Sequence, residues 1–207
     1  MPITVEQGQE LVSEFCRIYP AALQLQYKVR ATQEEAIHEA ATIERAGRIL
    51  GAYFPVRRCA AFAVSNFRDE SHFRRTLRHE IIGHFGINTF TPGEKRALLT
   101  SFIEAKDQPG ISRLWSSIEK HYAGWPESIK AEEVFCFACE TIEPHTPSNN
   151  IEAERSLRAV VLDRSRLMEL HDLEVITISV ADGFKNRTRF QQTFPATDND
   201  QWSREGN

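Results

Sequence analysis

Residues 78–86 read RHEIIGHFG, and the way this stretch folds decides what kind of chain it belongs to. Two histidines four residues apart stand about 40° apart around an α-helix and face one point, whereas His79 and His84, five apart, would stand about 140° apart. A single wide turn, a π-bulge, absorbs one such extra residue, and these bulges often occur at functional sites. Gly83, directly before His84, is the residue that tolerates the distortion best. The stretch therefore predicts a helix widened or broken near Ile82 and Gly83 if the two rings are to share a metal. The other reading is that the helix ends at Gly83 and His84 merely caps it.

About fifty residues downstream, Glu132 and Glu133 open the stretch EEVFCFACE. Alone, adjacent glutamates near a helix start serve the helix dipole and solubility. Beside the histidines they offer the third ligand of a zinc site that keeps one position open, with Glu80 as the carboxylate that takes a proton from bound water.

Taken together, RHEIIGHFGI and AEEVFCFACE resemble the zincin-like metallopeptidase domains of phage and plasmid polyvalent proteins. The paired signature is also seen in dipeptidyl peptidase III. The resemblance covers residues 59–142. It implies an α+β fold, mainly helical and zincin-like, with a small β-sheet next to the active-site helix. It also implies a gluzincin centre with one Zn2+ on His79, His84 and Glu133, and Glu80 as general base. Glu133 is preferred to Glu132 because a small residue, Cys136, follows it by three, where Phe135 follows Glu132. The family often has a carboxylate four residues after the ligand to orient a histidine. Here that position is Phe137, so Glu132, Glu140 or a backbone carbonyl must take over. His121, Tyr122 and His145 are the candidates for stabilising an oxyanion.

The function implied is a mobile-element zinc metallopeptidase that hydrolyses a peptide or protein substrate in the cytoplasm. The alternative is a non-catalytic binding module on the same scaffold that occupies a host or defence protein. Residues 60–66 then read either as the edge strand that holds an extended peptide or as a plain core strand.

The rest of the chain is consistent with one domain. At 207 residues and 41% hydrophobic, it can bury one substantial core. A formal charge of −4 gives no electrostatic case for nucleic acid or an anionic membrane as partner. No apolar run is long enough to cross a bilayer, and the N-terminus lacks a secretory pattern. Four cysteines, Cys16, Cys59, Cys136 and Cys139, read as reduced thiols, with the last two on a buried apolar face rather than as a redox pair.

Capping boxes at Thr4 and Thr32 predict helices, the second running to about Leu50. A strand is expected over about 59–66 and a helix from Asp69 or Ser71 through the histidines. Further helices are expected from about 92, after the QPG at 108–110, over 128–142 and over 151–170, and LEVITISV near 173–180 reads as a possible strand. One domain over 1–190 follows, with an N-terminal helical part (1–50), a metal-site core (59–142), a C-terminal part (151–190) and a flexible polar tail (191–207).

Overall fold

A computed structural model describes residues 3–37 and 48–192. Helix α1 (Val5–Ile18) starts where the Thr4 side chain accepts from the Gln7 amide while Gln7 caps Thr4 in return. It turns Leu11, Val12, Phe15 and Cys16 inward and stops before Pro20, which cannot donate a helical hydrogen bond. A 3-10 turn (Pro20–Gln24) leads into strand β1 (Gln26–Arg30), and the Thr32 capping box opens a short helix α2 (Gln33–Ala36).

Here the structure departs from expectation. The helix expected from Thr32 to Leu50 has ended by Ile37, and Arg48–Leu50 is not helical; residues 38–47 lie outside the described residues. Strand β2 (Gly51–Phe54) follows, then β3 (Cys59–Ala63), which gives way to a 3-10 turn (Val64–Asn66) instead of running to 66. The three strands form one sheet in the order β1-β3-β2, with β1 parallel and β2 antiparallel to β3. Of the two readings of this segment, peptide-holding edge or core strand, the structure has the second: β3 is central and buried at all five positions. Strands β1 and β2 are the two edges, each paired with β3 alone among the described strands.

Helix α3 (Glu70–Leu77), capped by the Asp69 carboxylate on the His72 amide at 2.8 Å, runs on into a π-helix over Arg78–Phe85. Four more helices build the rest of the described core: α4 (Pro92–Glu104), α5 (Ile111–His121), α6 (Glu127–Cys139) and α7 (Asn150–Leu157), the last prolonged by a π-turn over Arg158–Leu162. The final helix, α8 (Leu170–Lys185), contains the LEVITISV stretch expected as a strand. Its β-branched residues suggest a strand, but Leu173, Ile176, Thr177, Val180, Ala181 and Phe184 are among its buried positions. That is the i, i+3, i+4 stripe of a helix face, and burial of that stripe outweighs the small helix penalty of β-branching.

The architecture is mainly helical with one small sheet, an α+β fold. One apolar cluster runs from Ile3 to Phe184, through Phe62, Phe73, Ile81, Phe85, Phe102 and Phe135. The π-segment lies at its centre, packed on α6, on β2 and on α8. Among the described residues, no helix is long and apolar enough to cross a membrane. The tail from residue 193 lies outside the described residues.

Candidate metal centre

The π-helix decides where the histidines point. With i→i+5 hydrogen bonding, residues five apart come to lie over one another, and the rings of His79 and His84 stand 5.1 Å apart, edge to face. Across from them, α6 presents Glu133: its Oε2 lies 3.3 Å from His79 Nε2 and its Oε1 3.5 Å from His84 Nε2. Gly83 makes this approach of the helices possible, because a Cβ there would stand 2.9 Å from the Cα of Cys136 and 2.8 Å from its Sγ.

The outer nitrogen of each ring is held by a separate carboxylate. His79 Nδ1 lies 2.9 Å from Glu140 Oε1, and His84 Nδ1 lies 2.9 Å from Glu132 Oε1. Phe137, at the position where a carboxylate had been looked for, packs its ring edge-on to His79 at 5.5 Å. The acid comes instead from Glu140, nearly one turn further along α6. Glu132 continues outward to Lys95 Nζ at 2.8 Å. Lys95 also meets Asn88 Oδ1 at 3.0 Å, and Asn88 donates to the backbone oxygen of His84 at 2.7 Å. A closed ring of polar contacts thus fixes one histidine.

Glu80 is buried beneath the cluster against Gly51 and accepts a hydrogen bond from the Tyr53 backbone on the open edge of β2. Burial raises its pKa, and the two histidines only partly offset this. For His79, burial disfavours the charged ring, yet Glu133 and Glu140 override it and bring the value up to about 9. His84 is likewise held well above its ordinary value by Cys136, Glu132 and Glu133, against burial. Glu133 is held low by the two histidines despite its burial.

The donor set fits a zinc ion. With each Nδ1 facing a carboxylate, a neutral imidazole here would donate from Nδ1 and turn the Nε2 lone pair toward Glu133, whose buried Oε2 makes no hydrogen bond. Two nitrogen lone pairs and a carboxylate around one point require positive charge, supplied either by protons on the rings or by a cation taking N and O ligands.

The other expected residues separate. The hydroxyl of Tyr122, at the end of α5, interacts with Glu133. His121 and His145 are exposed and stand apart from the cluster. His121 ends α5 on its solvent side, and His145 sits in the loop after α6. Lys95, Asn88 and Tyr53 were not anticipated. No local pattern marks them, since they reach the site from α4, from the turn before it and from β2.

No family model matches the chain, and no solved structure matches it. Among curated proteins, the chain is similar to the DNA primase TraC of Escherichia coli, with 36% identity over 208 residues. The match takes in 94% of this chain but only 14% of that protein's length. This likeness overturns the expectation of a metallopeptidase with a protein substrate, along with the alternative of a module that occupies a host protein and the exclusion of nucleic acid. The chain's own charge balance says little about a relative about seven times as long.

Proposed function

We propose that this chain is a zinc-binding, zincin-like module of a DNA primase-type protein, and that its partner is nucleic acid. The observation that carries this reading is identity of 36% maintained over 94% of the chain. The chemistry named for the relative, primer synthesis, belongs in this proposal to the protein as a whole, because the match spans 14% of its length. In this reading the enzyme is a nucleotidyl-transferring one, and the module serves it by holding a metal-braced scaffold beside the nucleic acid.

The continuous core from Ile3 to Phe184 supports treating residues 1–190 as one unit. One Zn2+ on His79, His84 and Glu133 would supply the positive charge that the cluster requires, tying the π-segment to α6. A surface suited to phosphates lies along β1 and the turn into β3, where Lys28, Arg30, Arg57 and Arg58 are exposed.

The test is fluorescence anisotropy of the purified, zinc-loaded chain with labelled single-stranded and primer–template oligonucleotides. Binding is expected, weakening as salt rises and further weakened by the double substitution Lys28→Glu and Arg57→Glu. A folded, zinc-loaded chain that binds neither oligonucleotide at low salt would refute the reading.

A further inference from the structure

Cys136 stands beside His84 at the cluster and helps hold its ring charged. Its Sγ and one ring nitrogen each of His79 and His84 all lie within 4.8 Å of one another. The thiol is free and fully buried. It stands three residues after Glu133 on α6, so the two side chains project from the same helix face. Gly83, lying between the histidines in the π-segment, leaves the space that the sulfur occupies, since a Cβ there would be 2.8 Å from it.

Resting on the zinc-binding reading above, we propose that Cys136 is a fourth protein donor to the metal, closing the shell of His79, His84 and Glu133 into a structural centre. Zinc accepts nitrogen, oxygen and thiolate sulfur in one tetrahedral shell, and a site with four protein donors has no position left for water. Donors on one tetrahedral zinc lie about 3.3–3.8 Å apart, given bonds of about 2.0–2.3 Å, so the thiol and rings need close in by at most about 1.5 Å on binding. The S–H bond breaks as the Zn–S bond forms, and the proton leaves to solvent. A closed centre suits a module that braces a larger enzyme. Such a shell would tie the π-segment to α6.

Cobalt loading separates this inference from the zinc reading itself. The purified chain is titrated with Co2+ and its absorption recorded. One equivalent bound, with a sulfur-to-cobalt charge-transfer band, is expected. X-ray absorption of the zinc form should show one sulfur at about 2.3 Å. The band should vanish in Cys136→Ser and persist in Cys139→Ser, the neighbouring buried thiol. Outer-shell partners alone are worth about 10–100-fold in metal affinity, so Cys136→Ser should weaken binding on the order of 100-fold. One equivalent of cobalt bound without the band, or unchanged affinity in Cys136→Ser, overturns the thiolate donor and leaves the zinc reading standing. No cobalt bound by a folded chain overturns both. If Cys136→Ser does not fold, the wild-type band and the sulfur distance still decide.

Discussion

His84 and Glu132 are joined by a 2.9 Å hydrogen bond, and the second oxygen of that carboxylate reaches Lys95 at 2.8 Å. The glutamate that neighbours the candidate ligand thus orients a histidine, and a lysine from another helix balances its charge.

Lys95→Met should strand that carboxylate. Breaking a fully buried pair costs about 3–5 kcal/mol; the Lys95 side chain is 18% exposed, so a loss of about 2–3 kcal/mol is expected. Urea denaturation measures it, and an unchanged midpoint would show that Glu132 does not depend on the lysine.

The metal-free chain should lose stability at both ends of the pH scale. Burial opposes ionisation of Glu132, but Lys95 and His84 hold its pKa down at about 2. A folded value below the ordinary ~4.3 means that its contribution is complete above that value and is lost as pH falls toward 2. His79 behaves oppositely. Its folded value of about 9 lies above the ordinary ~6.5, so its contribution is complete below 6.5 and is lost as pH rises through 9. Denaturation midpoints across the pH range should fall on both limbs, with the acid limb flattened in Lys95→Met. A flat profile would contradict the coupling.

Gly83→Ala should force the helices apart. The added methyl would meet the backbone of Cys136 at 2.9 Å as well as its sulfur, and overpacking of this kind costs about 1–3 kcal/mol. Thermal melts should show a lower midpoint, and metal affinity should fall with it. A variant as stable as the parent would mean that α6 gives way freely.

Asp172→Asn should loosen the start of α8. Both carboxylate oxygens of Asp172 lie 2.6 Å from Arg166 nitrogens, and one also accepts from the Glu169 amide. Losing charge-assisted bonds of this sort costs about 1–2 kcal/mol. Hydrogen exchange of the first turn of α8 should speed up, and unchanged protection would refute the assignment of the cap.

What was legible in the sequence was local. The boxes at Thr4 and Thr32 satisfy amides within three residues of themselves, so their chemistry is written in adjacent letters. The extra residue in HEIIGH similarly forces a wide turn wherever the stretch is helical and both rings face one way, and the π-helix runs over Arg78–Phe85. LEVITISV has the β-branched composition of a strand, yet Leu173, Ile176, Val180 and Phe184 repeat at the helical period, and burial follows the period.

The rest belonged to the tertiary structure, because it depends on contacts between distant segments. The pairing of β1 and β2 with β3 sets which strand is central and which edge faces Glu80. The crossing of α6 over Gly83 divides the roles of the carboxylates, with Glu133 between the rings, and Glu132 and Glu140 behind them. Lys95 and Asn88 reach the cluster, and His121 is left at the surface, only when the helices pack. Hydrogen-bonded caps and turns close within a few residues and can be read along the chain, whereas a buried charge is balanced by whichever partner the fold brings near.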